Sequence, residues 1–402
     1  MIDLRCRLRT PVRAACFAAA IALLWPVIEQ EYSQIMLLQA SPFAALSSTL
    51  ATRSLGLGLG IGWLFLLIAM VKHRWFCRYA CPMGFLQEGA ARIGWKKTAW
   101  WRRFPQAGQY LAILTFIGAA VGYPLLLWLD PLSIFSSALT AVRYDGLLSV
   151  MPAGAMLLLL LLLSLTSGQF WCSRLCPLGG TQDLAAKAAS LWPRKSGKET
   201  AVGPGPYSIM RMVRRGFILG VLGIGTSLWA RKAGSARGED APLRPPGAVS
   251  EDIFTGLCLR CGNCLRACPY GILRPDVGHA GLPGLLAPVL RFDKAYCHED
   301  CKACTQVCPS GAIERLDIAR KRAYIIGEAL VDGEICVLIL GRKECDACER
   351  SCPYDAVRIH WDRELYVSYP LVDPQKCNGC GACEIACPTE RFKAIRVWRM
   401  ES

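Results

Sequence analysis

The residues best equipped for chemistry are cysteines in the last third of the chain. Cys258-x2-Cys261-x2-Cys264-x3-Cys268-Pro269 opens the series, and Cys297-x3-Cys301-x2-Cys304-x3-Cys308-Pro309 follows. The third run is Cys336-x8-Cys345-x2-Cys348-x3-Cys352-Pro353, and the fourth is Cys377-x2-Cys380-x2-Cys383-x3-Cys387-Pro388. The first and last reproduce a bacterial cluster-binding run, and the middle two keep its second half while lengthening the first gap. In such a run three thiolates surround one cubane, while the fourth, beside proline, reaches a second. These sixteen cysteines suit four [4Fe–4S] clusters, which move electrons singly. Zinc bound by four thiolates and a disulfide framework are the competing readings. Neither accounts for one tetrad spacing that recurs with Cys-Pro at its end each time.

Two further motifs, Cys77-x3-Cys81-Pro82 and Cys172-x3-Cys176-Pro177, stand in matching contexts. Arg74-Trp75-Phe76-Cys77-Arg78-Tyr79-Ala80-Cys81-Pro82-Met83-Gly84 echoes Gln169-Phe170-Trp171-Cys172-Ser173-Arg174-Leu175-Cys176-Pro177-Leu178-Gly179, as an internal duplication of a two-helix unit would. Together they offer four thiolates, the number a cubane needs. One more [4Fe–4S] cluster, or another redox metal, bridging the two units is one reading. Unligated thiols in packed loops are the other. Cys6 and Cys16 are left over. The histidines are His73, His279, His298 and His360, none within an apolar stretch, so no bis-His haem pair is expected. No flavin or nucleotide is expected either: Gly56, Gly58, Gly60 and Gly62 fail the G-x-G-x-x-G spacing and lack a βαβ pattern.

The elements that carry these cysteines differ between the two halves. The chain has 402 residues, 53% of them hydrophobic, and a formal charge of +15. Residues 1–230 hold 22 Lys/Arg against 8 Asp/Glu, and residues 231–402 hold 24 against 23. The excess lies in the apolar half, and the cysteine-rich half has no basic tract, which excludes nucleic acid as a partner. Apolar stretches near 14–28, 55–71, 107–129 and 147–166 read as four membrane spans, since a span needs about 20 residues. Twenty basic residues in the N-terminus and the loops after the second and fourth stretches, against two in the opposite loops, predict a cytoplasmic N-terminus. Gly58-xxx-Gly62 suits close helix packing in lipid. Glu29, Glu31 and Tyr32, with Asp130, Arg143, Tyr144 and Asp145, read as polar groups at helix ends rather than as proton acceptors.

A fifth apolar stretch, Gly216–Ala230, follows Val213-Arg214-Arg215-Gly216-Phe217-Ile218-Leu219. That segment is similar to a twin-arginine export signal, and no A-x-A site follows, so it is expected to remain as an anchor. An amphipathic linker with a chance Arg-Arg is the alternative, and would leave the cysteine-rich domain in the cytoplasm. The expected fold class is a membrane all-α unit of four helices plus one anchor helix, followed by an α+β ferredoxin-like domain holding several [4Fe–4S] clusters. The expected divisions are 1–200 for the four-helix domain, 201–232 for the anchor, 233–250 for a linker and 251–402 for the ferredoxin-like domain. Ala323–Ile326 and Val337–Leu340 are strand-prone, and 275–288 reads as a surface loop.

The four-helix part with its two C-x3-C-P motifs resembles the membrane subunit of periplasmic nitrate reductase systems (NapH) and its methylamine-utilisation relative (MauN). The twin-Arg segment with four tetrads resembles their partners NapG and MauM. The resemblance implies an inner-membrane, multi-pass electron-transfer protein whose ferredoxin domain faces the periplasm. It would pass electrons from quinol to a c-type cytochrome or a metalloenzyme, in contact with membrane lipid. It implies a subunit without substrate chemistry of its own, or the quinol-oxidising component of a complex. Supplying electrons for the maturation or reactivation of a periplasmic metalloenzyme is the alternative. Related four-cluster subunits suggest pairing the first run with the fourth and the second with the third; first with second also remains open. The chain departs from the nitrate-type membrane subunit in lacking a separate ferredoxin pair directly after Cys176.

Overall fold

The computed structural model describes residues 2–24, 33–54, 60–94, 103–143, 147–191, 206–235, 242–278, 281–364, 366–389 and 392–399. Two compact units emerge. One comprises Met1–Ser235 with Ser250–Cys261 and Pro309–Ala312; the other comprises Ala236–Val249, Gly262–Cys308 and Ile313–Ser402.

The first unit is helical. Pro42–Thr52, Pro82–Ile93, Pro131–Arg143 and Pro177–Leu191 each begin on proline, whose fixed φ suits the first helical position and whose missing N–H has no intrahelical partner to lose. Between them run Gly60–Val71, Ala107–Ala120 and Leu147–Ser167. Small residues let these helices approach closely. A Cβ on Gly62 would lie 2.6 Å from Ala45 Cβ, so this face of Gly60–Val71 is occupied by Pro42–Thr52. Gly56 and Gly58 lie outside the described residues.

The expectation of a membrane all-α unit, and with it a multi-pass inner-membrane location, is corrected here. No helix of the described residues is long and apolar enough to cross a membrane. The described helices of the second and third stretches are short. Gly60–Val71 has 12 residues, about 18 Å at the helical rise, against a hydrocarbon core of about 30 Å. The stretch 107–129 is helical only over Ala107–Ala120, then turns at Gly122 (φ 93°) into the 3-10 turn Leu127–Leu129. Part of the basic excess also serves inside the unit, where Arg13 pairs with Glu88 and Arg74 with Asp183. Arg214 and Arg215, the core of the expected export signal, fall within a helix that runs over Pro206–Ser235. Apolar side chains remain exposed at Leu64, Leu67, Leu158, Leu159, Leu162, Val221 and Leu222.

The same unit also holds Ser250–Cys261. Tyr123 Oη lies 3.1 Å from Thr255 Oγ1, Ser136 Oγ donates to the Cys261 carbonyl at 3.0 Å, and Arg260 sits over the Trp128 ring. Arg231 adds an ion pair to Asp252. Helix Glu251–Leu257, which leads into Cys258, is thus held by the helical elements.

Among its described residues the second unit is built from short helices and three two-stranded antiparallel sheets: Leu273–Pro275 with Pro288–Leu290, Glu328–Val331 with Ile395–Trp398, and Val357–Asp362 with Val367–Val372. The first sheet brackets the 275–288 segment, whose Leu282 is exposed. The strand expected near Ala323–Ile326 begins later, at Glu328, because Asp317 caps the helix Ile318–Ala323. Val337–Leu340 forms turns instead of a strand, held by Leu340 N–H to Cys336 O and Gly341 N–H to Leu338 O.

Candidate metal centres

Each cysteine run of the second unit is shaped by one short helix and the proline behind it. Asn263–Ala267, Ala303–Gln306, Ala347–Arg350 and Ala382–Ala386 carry the third cysteine of their runs. The first and last follow a glycine in the left-handed region, Gly262 (φ 76°) and Gly381 (φ 85°). At Gly381 a Cβ would also fall 2.4 Å from the Phe292 ring, so a side chain there meets both strain and a clash. The fourth cysteine precedes proline, which disfavours helical ψ and forces an extended conformation. Cys268 (ψ 109°) and Cys387 (ψ 125°) obey this and turn out of their helices.

That turn exchanges thiols between neighbouring runs. The Cys304 thiol is pushed well up by burial and by Cys297, Cys268 and Cys301 around it, so Cys268 of the first run sits with three thiols of the second. Burial also raises Cys297, to about 11, although Lys321 beside it pulls the other way. Cys383 is raised by burial and by Cys380, Cys377, Cys352 and Cys348, so both Cys352 and Cys348 of the third run lie near thiols of the fourth. Burial pushes Cys380 up to about 12, with Cys352 and Cys297 adding to it. In return, Cys387 lines an apolar cavity with Cys336, Cys345 and Cys348. Burial raises the Cys387 thiol, but Thr389 and the N–H groups of Ala394 and Ile395 outweigh it and leave the thiol below its ordinary value. The Cys268 and Cys352 groups adjoin, because Cys297 N–H donates to the Cys380 carbonyl at 2.9 Å.

The first run is divided by the fold: Cys258 and Cys261 belong to the helical unit, Cys264 and Cys268 to the other. Cys258, Cys261 and Cys264 are buried, while Cys308 is half-buried with its sulfur accepting from Ile313 N–H.

Within the helical unit Cys77, Cys81, Cys172 and Cys176 come together around a cavity of about 270 Å³. Here Cys-Pro starts a helix instead of ending one. Cys81 (ψ 115°) caps Pro82–Ile93, and Cys176 (ψ 118°) precedes Pro177–Leu191. The first cysteine of each motif sits in a short helical turn, Trp75–Tyr79 or the π-turn Trp171–Leu175. Burial pushes Cys77 up to about 12, with the Cys81 charge adding and Arg74 and Gln182 opposing. Cys81 rises to about 12 by burial, against N–H donation from Gly84 and Met83. Cys172 and Cys176 are raised by burial and by the other thiols of the set. Asp183 stays below the usual carboxylate range despite its burial, held by hydrogen bonds and charge from Arg74. The Arg74 fork reaches it at 2.6 and 2.5 Å.

These donor sets fit iron–sulfur clusters. Each gathers four thiols, buried or half-buried, that would repel one another as thiolates unless a cationic core stood among them. Among the described residues no group of three or more His, Cys, Asp or Glu is set to hold a single metal ion. One tetrahedral zinc would need its thiolates roughly 3.8 Å apart. Sequence reasoning missed Gln182, which donates to Cys77 Sγ at 3.0 Å, and Lys321, a fully buried cation beside the Cys268 group.

Comparison with known proteins agrees with this division. A 4Fe-4S dicluster domain model matches residues 257–312, which span the first two runs, and 342–391, which span the fourth run and the third from Cys345 onward. A 4Fe-4S binding domain model matches residues 55–100 and 150–199, around the two C-x3-C-P motifs. The ferredoxin-type protein NapG of Escherichia coli is 36% identical over 190 residues, 44% of this chain and 79% of NapG. The methylamine utilization ferredoxin-type protein MauM of Methylorubrum extorquens is 35% identical over 178 residues, 43% of this chain and 80% of MauM. NapG of Haemophilus influenzae is 32% identical over 227 residues, 52% of this chain and 76% of the relative. No solved structure matches. With four thiol runs arranged as linked dicluster halves and this likeness, the chain belongs to the NapG/MauM family of ferredoxin-type iron–sulfur proteins.

Proposed function

We propose that the chain is an electron relay of five [4Fe–4S] clusters, four in the ferredoxin region and one on the C-x3-C-P thiols. When bound, each cluster accepts and releases one electron at a time. Cys297, Cys301, Cys304 and Cys268 hold one, Cys377, Cys380, Cys383 and Cys352 a second, and Cys336, Cys345, Cys348 and Cys387 a third. Read on the sequence alone, the same exchange rule assigns Cys258, Cys261, Cys264 and Cys308 to a fourth. Cys77, Cys81, Cys172 and Cys176 hold the fifth.

The observation that carries the relay is the Cys297 N–H to Cys380 carbonyl hydrogen bond. It joins a ligand of one dicluster half to a ligand of the other, so the halves form one path instead of two separate stores. The C-x3-C-P repeat supplies the resemblance to NapH and MauN, and makes the helical unit the point of electron entry. The donor we propose is a quinol. The acceptor is a c-type cytochrome or a metalloenzyme of a nitrate-reductase or methylamine-type system, as the likeness to NapG and MauM supports.

Anaerobic full-length protein mixed with a quinol analogue tests this. Clusters of the ferredoxin region should be reduced, and Cys77→Ser/Cys172→Ser should abolish reduction by quinol while leaving reduction by dithionite intact. Reduction of that variant at the wild-type rate would overturn the entry route. Failure of quinol to reduce the wild type, with a partner metalloenzyme inactive in its absence, would make the chain a maturation factor.

A further inference from the structure

The duplication around the C-x3-C-P motifs extends past the glycines, and one of the added residues, Gln182, reaches a thiol of the set. Cys81-Pro82-Met83-Gly84-Phe85-Leu86-Gln87-Glu88 aligns with Cys176-Pro177-Leu178-Gly179-Gly180-Thr181-Gln182-Asp183. Each helix therefore carries a glutamine five residues after its first proline, so Gln87 and Gln182 occupy equivalent positions. Each glutamine is followed by an acid anchored to an arginine from another element: Glu88 to Arg13, Asp183 to Arg74. The two glycines repeat as well. A Cβ on Gly84 would press on the Cys77 carbonyl at 3.2 Å, and one on Gly179 would touch the Cys172 carbonyl at 3.4 Å. Two copies of one local design thus frame the four thiols.

Both glutamine side chains are fully buried. Gln182 Nε2 crosses to the other repeat and donates to Cys77 Sγ at 3.0 Å. Under the repeat's pseudo-symmetry the counterpart of that bond would join Gln87 to Cys172. Yet neither polar atom of the Gln87 amide has a hydrogen-bond partner among the described residues. A buried amide without partners costs about 1–3 kcal/mol, a penalty that has to be met by something the site receives. The sulfurs of a loaded cluster would offer it acceptors.

We infer that Gln87 and Gln182 are a symmetry-related pair of hydrogen-bond donors to the sulfurs of the cluster held by Cys77, Cys81, Cys172 and Cys176, and that they set its reduction potential. The inference rests on the reading of these thiols as cluster ligands. Reduction adds negative charge to the sulfurs, so a fixed N–H donor favours the reduced form and raises the potential. These are positioning and tuning residues. The ligands themselves are the thiols.

The test uses full-length, anaerobically loaded protein and potentiometric EPR titration. The relevant signal is the one lost in Cys81→Ser/Cys176→Ser. Gln87→Leu and Gln182→Leu should each shift the reduction equilibrium of that signal about tenfold toward the oxidised form, or about 59 mV downward for one electron, at unchanged iron content. Gln87→Met and Gln182→Met keep the side-chain length if leucine prevents folding, and should lower the midpoint in the same way by removing the donor. An unmoved midpoint with the signal intact in these variants would overturn the inference and leave the cluster reading standing. If Cys81→Ser/Cys176→Ser loses neither iron nor signal, the cluster reading fails and the inference with it.

Discussion

Lys321→Met tests how the protein tunes the cluster assigned to Cys268, Cys297, Cys301 and Cys304. Lys321 lies on the helix Ile318–Ala323, is fully buried, and donates through Nζ to the His298 carbonyl. Its charge and a hydrogen bond oppose the rise that burial imposes on the Cys297 thiol, and its charge opposes the rise at Cys304. No carboxylate pairs with it among the described residues, and its amine acts on the Cys297 and Cys304 thiols. Methionine, one heavy atom shorter, keeps an unbranched apolar stem and removes charge and donor. A hydrogen bond to a charged group contributes about 1.5–3 kcal/mol. If that contribution is realised mainly in the reduced state, the midpoint should fall by about 60–130 mV. Potentiometric EPR of the signal that Cys268→Ser removes is the assay. An unmoved or raised midpoint, with iron content intact, would refute the argument that this buried cation acts on the cluster.

Further outcomes follow from the thiol exchange and from a buried acid. Cys352→Ser and Cys383→Ser should remove the same EPR signal, while Cys348→Ser removes a different one; loss of one common signal in Cys352→Ser and Cys348→Ser would restore the runs as separate ligand sets. Asp130, fully buried before the helix Pro131–Arg143, has its carboxyl pushed up to about 7 by burial, from an ordinary 3.8. The folded state then holds a proton that the unfolded chain releases, so this group's contribution favours folding at acidic pH and is lost as pH rises from about 4 to 7. The loss amounts to about 4 kcal/mol. Denaturant midpoints should fall between about pH 4 and 7 and level off above, and Asp130→Asn should remove that slope; an identical slope in the variant would assign it elsewhere.

The cysteine runs were legible because ligand spacing is local and survives any arrangement of the remaining chain. Their partners were not. The exchange of Cys268 and Cys352 depends on how separate helices stand together, and the sequence pattern alone leaves the pairing open. Hydropathy misled for a related reason. It registers apolar runs such as 107–129 without seeing that the helix stops at Ala120 and the chain reverses at Gly122. It also counts Arg13 and Arg74 as topology signals although both are paired with acids beside the thiols. The signal for Gln87 and Gln182 was present in the repeat, three residues beyond Gly84 and Gly179. Lys321 had none, since a lysine on a short basic helix ordinarily faces water.

Iron and acid-labile sulfide per chain, measured on anaerobically purified full-length protein, test the central claim most directly. Five [4Fe–4S] clusters predict about 20 of each per chain. Zinc in place of iron, or iron without matching sulfide in a folded chain, would contradict the relay.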